Sequence, residues 1–184
     1  SNPLTLEDLL KFGAFTPAFR SHGEFPYRET YNIAPAGSPV RNALIRYAQL
    51  RYRLMPYIYT LAADTYQKDG SIMRGLVMDF PADPKVRDIG DQYLFGPSLL
   101  ITPVTEFKAR SREVYLPAGT DWFNLDTGVR ERGGRAVKTD APAEIIPVYV
   151  RAGSIVPTGP VMQYVDEKPD APLTLLVYPG ANGS

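Results

Sequence analysis

The sequence predicts an α/β part followed by an all-β part, in which the end of an incomplete (β/α)8 barrel joins a β-sandwich. Residues 40–69 repeat apolar side chains at helical steps of three and four, and an almost continuous apolar run follows over residues 71–80. This alternation of helix and strand is typical of β/α barrels, but it is too short to close one. From about residue 99, short apolar segments alternate with turn residues, as in a sandwich.

The chain opens with a predicted short helix and a predicted short strand. Residues 6–12 have amphipathic spacing, with Thr5 in position to cap the helix. The apolar segment 15–19 is expected to form a strand that ends at Arg20 and at His22, the only histidine. On a strand, residues two apart point to the same face, so the two side chains are expected to lie together.

A long loop is predicted over residues 23–39, where glycine, proline and tyrosine occur without periodicity. Long loops inside compact domains are commonly functional. Phe25, Tyr27 and Tyr31 could form a sugar-stacking surface there, or they could pack the loop onto the domain, and the sequence leaves both interpretations open.

The helix over residues 40–69 is predicted to be covered on much of its circumference, because it has two adjacent apolar rows. Pro56 must kink this helix or start a new one, and Gly70 is a natural stop. Its aromatic side chains are expected in the core, with arginines supplying the polar remainder: Arg41, Arg46, Arg51 and Arg53. The run over 71–80 is expected to be a parallel strand covered on both sides.

The second half is expected to hold short strands separated by Pro-, Gly- and Asp-containing turns. The predicted strands cover residues 99–104, 112–116, 136–139, 145–150 and 173–178. Side chains alternate between apolar and polar over residues 113–116, as on a half-exposed strand.

Composition excludes several classes of function. The chain has 20 basic and 20 acidic residues, so it has no net charge with which to attract nucleic acid. It has no cysteine and one histidine, which excludes disulfides and argues against zinc. No apolar run approaches the roughly 20 residues of a membrane helix. Nucleotide-binding glycine motifs are absent. Neither a nucleic-acid partner nor a membrane partner is therefore expected.

Arg20 and His22 are the candidate binding residues. A permanent cation and an imidazole on one face can hold several hydroxyl groups of a polar substrate, although an arginine that braces loops and a histidine that caps a carbonyl would give the same pattern. Carboxylates could supply acid–base catalysis, but their spacing singles out no pair. The carboxylates considered are Glu24, Glu29, Asp79, Asp88 and Asp91, of which Asp91 is expected to cap a helix or brace a loop.

The ordered series of segments resembles glycoside hydrolase family 31, the α-glucosidase and α-xylosidase family. The first matching segments read F-G-A-F-T-P-A-F-R-S-H (12–22), L-R-Y-R-L-M-P-Y-I-Y-T-L (50–61) and M-R-G-L (73–76). The resemblance continues through residues 80–81, 91–96, 99–104, 112–117, 126–128 and 146–157. Each segment is short, but their common order over residues 12–157 makes the resemblance specific.

The resemblance implies three parts. Residues 1–98 correspond to the C-terminal portion of the (β/α)8 catalytic barrel, residues 99–172 to the proximal β-sandwich domain, and residues 173–184 to the opening strand of a truncated distal β-domain. His22 matches the family histidine that binds the sugar in the −1 subsite, and Arg20 matches the arginine beside it. No segment matches the nucleophile motif W-x-D-x-N-E or the acid/base strand, so no catalytic residue is assigned within this chain.

The resemblance further implies a retaining α-glycosidase that needs neither metal nor cofactor. Its expected partners are an oligosaccharide and the remainder of the parent enzyme, barrel strands 1–6, and a homo-oligomer is compatible with the sequence. The run R-S-H-G-E-F-P-Y-R-E (20–29) favours an α-xylosidase acting on xyloglucan-type oligosaccharides, with an α-glucosidase as the alternative. A periplasmic or secreted location would suit xyloglucan, whereas the cytoplasm is also compatible. The alternative of another class is a non-catalytic carbohydrate-binding or scaffold module, which would be supported by an exposed Trp122. Packing of Trp122 between sandwich and barrel is the favoured expectation, because tryptophan is usually well buried.

Overall fold

The computed structural model describes residues 11–20, 25, 27, 29–106 and 108–180. Residues 11–13 are helical, so the described end of the helix predicted over 6–12 is confirmed, and the rest of that prediction lies outside the described residues. The helices that follow are α1 (Thr30–Ile33), α2 (Pro39–Arg53), α3 (Met55–Lys68) and α4 (Leu76–Asp79), with a 3-10 turn at Pro84–Val86.

The predicted long helix is two helices that meet at Leu54. Ser38 caps α2 by accepting a hydrogen bond from the Arg41 amide, and Pro39 occupies the first turn, where its missing N–H costs nothing. Pro56 stands at the start of α3, so it starts a new helix, one of the two outcomes predicted for it. At the end of α3, Asp69 rather than Gly70 takes the left-handed conformation, with φ of 53°. Gly70 follows this cap directly, at the C′ position predicted for it.

The prediction of a single parallel strand over residues 71–80 is wrong. The segment contains β1 (Met73–Gly75), which pairs antiparallel with its neighbour, and then α4. Leu76 and Phe80 are buried while Val77 and Met78 are exposed, which is a helical and not an alternating pattern. An uninterrupted apolar run does not by itself distinguish a buried strand from a short buried helix.

The strands of the second half form an antiparallel core. Their bounds are β2 (Tyr93–Phe95), β3 (Leu99–Ile101), β4 (Ser111–Leu116), β5 (Asp121–Asn124), β6 (Arg130–Arg132), β7 (Arg135–Asp140), β8 (Val148–Arg151), β9 (Ile155–Thr158) and β10 (Thr174–Val177). Six strands make one sheet in the order β1-β2-β3-β8-β5-β6, while β4 pairs with β7 and β9 pairs with β10. All five predicted strands of this half are present, and the sequence missed the short strands β2, β5, β6 and β9.

The six-stranded sheet is buried on both faces. One face packs in a cluster with α2 and α3 through Phe95, Leu99 and Val150. The opposite face packs against β4 and α4 through Leu94, Leu100 and Trp122. The predicted class, helices followed by a β-sandwich, is confirmed, but the domain division predicted near residue 98 falls between the paired strands β2 and β3.

Two buried polar side chains tie β4 to the rest of the molecule. The Gln92 side-chain amide exchanges two hydrogen bonds with the backbone of Tyr115, at 2.8 and 2.9 Å. The Asp83 carboxylate accepts from the Tyr115 hydroxyl (2.8 Å) and from the amides of Ala118 (2.9 Å) and Lys85 (3.1 Å). Burial alone would raise the pKa of Asp83, but these donors outweigh it and hold the pKa below its usual value.

Asp83→Asn is expected to destabilise the protein by roughly 1–3 kcal/mol at pH 7, because an amide cannot accept from all three donors. The folded pKa of Asp83 is lowered, so its contribution is complete above the unfolded pKa and is lost as the pH falls through the folded pKa. Urea unfolding between pH 3 and pH 7 should therefore show the wild type and the variant converging at acid pH. A gap independent of pH would contradict the assignment.

The turn between β2 and β3 docks on α3 through Tyr57. The Tyr57 hydroxyl donates to the Phe95 carbonyl (2.8 Å) and accepts from the Ser98 amide (3.2 Å), and burial raises its pKa to about 12. Gly96 lies between them with φ of 63°, and a Cβ there would overlap the Tyr57 hydroxyl and lie 2.6 Å from a Leu61 methyl group. The turn can approach the helix only because residue 96 has no side chain.

Gly96→Ala is expected to cost roughly 2–5 kcal/mol, since a left-handed backbone strain and an overpacked contact add together. The matched control is Gly119→Ala, whose glycine has φ of 91° but no atom within 4 Å of the position that a Cβ would take, so about 1–2 kcal/mol is expected. Thermal denaturation followed by circular dichroism compares them. Equal losses would show that close packing on α3 does not matter.

Candidate functional site

The segment that leads to Arg20 and His22 is a bend and not a strand. Residues 14–17 form turns and a bend, and residues 18–20 have no regular structure, so the strand predicted over 15–19 is wrong. The Thr16 hydroxyl lies within hydrogen-bonding distance of the carbonyls of Gly13 (2.8 Å) and Ala18 (2.7 Å) and donates its one proton locally. Pro17 has no N–H to offer a sheet.

Arg51 reaches this bend from α2. Its guanidinium donates to the carbonyls of Ala14 (3.1 Å), Thr16 (2.6 Å) and Pro17 (3.0 Å). The residue is 9% exposed, and burial lowers its pKa below the ordinary value for arginine. The predicted assignment of Arg51 to the polar face of the helix is therefore wrong.

Phe19 folds back over the same group. The Arg51 guanidinium carbon lies 5.6 Å from the centre of the Phe19 ring, within the range of a cation–π contact. A Cβ on Gly13 would lie 2.9 Å from that ring, so residue 13 has to be small. The bend thus closes on the guanidinium immediately before Arg20.

Arg20 is exposed at the end of the bend. His22 lies outside the described residues, so the prediction that the two side chains share a face stays a prediction. The segment predicted as a loop over residues 23–39 contains α1, so that prediction is wrong for residues 30–33. Three aromatic side chains of the segment are exposed, Phe25 by 86%, Tyr27 by 70% and Tyr31 on α1 by 63%. The rings of Phe25 and Tyr27 meet edge to face with centres 6.4 Å apart. These rings do not pack onto the described part of the chain, which is compatible with the stacking-surface interpretation.

The candidate carboxylates that the structure describes lie on separate elements: Asp79 at the end of α4, Glu29 before α1 and Asp91 before β2. Asp79 ends α4, not a barrel strand, and accepts from Arg74 Nε at 2.7 Å. Glu29 precedes α1 and makes no capping hydrogen bond with its side chain. Asp91 pairs with Arg112 at 2.7 Å, as the loop-bracing interpretation expects. Glu24 lies outside the described residues.

The predictions for the aromatic side chains are partly confirmed and partly wrong. Trp122 is fully buried, donates its indole N–H to the Pro117 carbonyl at 3.0 Å and lies 5.8 Å from the Phe80 ring, so the favoured prediction that it packs inside the fold is confirmed. Tyr47 and Tyr57 are core residues as predicted, whereas other helix tyrosines are not, since Tyr59 is 75% exposed and Tyr66 is 89% exposed.

A cavity of about 480 Å³ lies next to the bend, lined mainly by apolar surface that includes Phe12, Met73 and Tyr93. The lining also includes charged side chains, among them Asp91, Glu106 and Arg110. Among the described residues, no group of acidic or histidine side chains could hold a metal ion. Over the same ranges, no helix is long and apolar enough to cross a membrane.

Two family profiles match successive parts of the chain. The glycosyl hydrolase family 31 TIM-barrel domain matches residues 6–61, and the family 31 C-terminal domain matches residues 69–156. The chain belongs to glycosyl hydrolase family 31. Its two matched parts correspond to the end of the family barrel and to the β-domain that follows.

Individual family 31 proteins match over almost the whole chain. The crystal structure of an α-xylosidase from Xanthomonas citri superposes with a TM-score of 0.94 at 61% identity, covering 96% of this chain and 19% of that protein. A dextranase from Flavobacterium johnsoniae gives 0.89 at 37% identity, covering 95% and 21%. An α-xylosidase from Saccharolobus solfataricus is 38% identical over 94% of this chain and 23% of its own length. The chain thus spans about a fifth of these relatives.

Sequence reasoning missed the two side chains that organise the bend. Arg51 follows Leu44 and Tyr47 at steps of three and four, so it lies on the buried face of α2. This spacing was the signal in the sequence that could have predicted a buried arginine. Tyr93 donates its hydroxyl to the Phe15 carbonyl at 2.8 Å, and its burial raises its pKa far above the ordinary value. Nothing in the local sequence relates Tyr93 to a carbonyl 78 residues away.

Proposed function

We propose that this chain is part of a retaining α-glycoside hydrolase that releases a non-reducing-end α-linked sugar, as an α-xylosidase acting on xyloglucan-type oligosaccharides. The observation that carries the proposal is the likeness to the Xanthomonas citri α-xylosidase, 61% identical over 96% of this chain. The α-xylosidase from Saccharolobus solfataricus supports the same substrate class.

Retaining hydrolysis requires two carboxyl groups about 5–5.5 Å apart, one as nucleophile and one as acid and base. No segment of this chain matches the nucleophile motif or the acid/base strand, so in this proposal the remainder of the enzyme, barrel strands 1–6, supplies both. His22 and Arg20 are binding residues in this proposal. They orient sugar hydroxyls by hydrogen bonds that strengthen in the transition state.

An α-glucosidase is the alternative, since an α-glucosidase from Bacillus thermoamyloliquefaciens is 32% identical over 95% of this chain. The ratio of kcat/KM for aryl α-xyloside to that for aryl α-glucoside separates the two activities. The non-catalytic module loses its main support, because Trp122 is buried and offers no surface to a sugar.

His22→Ala in the full-length enzyme is expected to lower kcat/KM for an aryl α-xyloside by roughly 100-fold or more. An imidazole that binds a hydroxyl acts most strongly in the transition state, and its loss leaves that hydroxyl unpaired in the pocket. The measurement is steady-state kinetics on variants with unchanged circular dichroism.

The matched control is Glu29→Gln, an exposed acid in the same loop region that makes no capping hydrogen bond. Its activity should stay within about twofold, as is usual for surface positions. Loss of turnover in Glu29→Gln, or full activity in His22→Ala, would refute the proposed roles.

Tyr27→Ala is expected to weaken binding of an oligosaccharide roughly fivefold to tenfold, with little change for an aryl monosaccharide. An exposed ring that stacks on a sugar beyond the cleaved bond contributes only to longer substrates. KM for both substrates is measured, with Tyr66→Ala as control, since Tyr66 is also an exposed tyrosine and lies on α3. Equal changes for both substrates would contradict a stacking role.

A further inference from the structure

Four consecutive backbone carbonyls of the bend are all bound by side chains from elsewhere in the fold. Arg51 takes those of Ala14, Thr16 and Pro17, and Tyr93 takes that of Phe15. Arg51 also makes a weaker contact of 3.5 Å with the carbonyl of Gly13. Buried carbonyls are normally paired within helices or sheets, so a run paired by side chains is an unusual local arrangement.

A guanidinium is the one side chain suited to this task. Its planar group presents five N–H donors in a fixed fork, so Nη1 can serve Ala14 and Thr16 while Nη2 serves Pro17. A lysine ammonium is a compact group with three donors and cannot span the same set. Because Arg51 is buried, these carbonyl dipoles help to compensate its charge, and the hydrogen bonds hold the bend around it.

The position of the bend connects this arrangement to the candidate site. Phe19 stacks on the guanidinium, and Arg20 is the next residue. His22 follows two residues later in the sequence. The path of the chain into the sugar-binding segment is therefore set by Arg51 and by the ring packed on it.

We propose that Arg51 is a positioning residue of the glycosidase: by binding carbonyls of residues 14–17 it fixes the bend that ends at Arg20, two residues before His22 in the sequence. The proposal rests on the proposed function, because it requires that Arg20 and His22 contact substrate. Arg51 itself lies behind the bend and acts through it, without touching sugar.

The test compares Arg51→Met and Arg51→Lys in the full-length enzyme with Arg53→Met, an exposed arginine two residues along the same helix. Arg51→Met is expected to raise the inhibition constant of xylose and the KM of an aryl α-xyloside by roughly tenfold, and to lower kcat/KM by about 100-fold, as small displacements of binding groups do. Arg51→Lys should recover part of this loss, and Arg53→Met should behave as wild type.

The inhibition constant separates positioning from stability. It does not depend on how much of the enzyme is folded, whereas the apparent kcat does. If Arg51→Met lowers the melting temperature and the apparent kcat while the xylose inhibition constant stays at the wild-type value, Arg51 is only structural and the inference is overturned. A raised inhibition constant in the folded fraction supports it.

A double variant distinguishes failure of this inference from failure of the proposed function. If Arg51 acts through His22, adding Arg51→Met to His22→Ala should raise the xylose inhibition constant by less than its effect in the wild type. If the inhibition constant of the double variant rises by the product of the two single-variant factors, Arg51 does not act through His22 and the inference is contradicted. An unchanged inhibition constant in His22→Ala alone would refute the binding role of His22 itself.

Discussion

The structure depends on a sheet that has to be covered on both faces. Strands β2, β3 and β8 are apolar along most of their length, so alternate residues cannot turn to solvent on either side. Helices α2 and α3 cover one face, and the β4–β7 pair with α4 covers the other. Apolar surface buried on both faces accounts for most of the stability that such a sheet can have. The barrel-derived helices and the β-domain therefore share one core, centred on Leu99 and Ile101.

Polar contacts then fix how the covering layers sit on this sheet. On the helical face, the Tyr57 hydroxyl holds the β2–β3 turn, and the Tyr47 hydroxyl accepts from the Ile146 amide at 2.7 Å. On the opposite face, Asp83 and Gln92 hold β4. Each of these hydrogen bonds pairs a buried polar group that the regular sheet ladders leave unpaired. A buried polar group without a partner would destabilise the fold by more than the hydrogen bond stabilises it. Burial of apolar surface determines which layers pack together, and these hydrogen bonds determine how the layers are positioned on each other.

The candidate site is attached to the helical layer through one buried charge. Arg51 belongs to the same helix face as Leu44 and Tyr47, which are buried in the core, so the bend that it holds is tied to the most closely packed part of the molecule. The exposed rings of Phe25 and Tyr27 lie beyond that anchor. The described part of the site thus combines a bend fixed by Arg51 with exposed aromatic rings.

The sequence by itself determined the periodic elements, the break at Pro56, the turns and the family, because spacing and ordered motifs are local properties. The tertiary structure alone decided which apolar runs become strands, since Leu76–Asp79 is helical for reasons of packing on Trp122 and its neighbours. It also decided that Arg51 is buried and that Tyr66 is exposed, the reverse of what the residue types predict. The hydrogen bond from Tyr93 to Phe15 joins residues far apart in the chain. A local sequence pattern cannot predict such a bond, because the two residues become neighbours only when the chain folds.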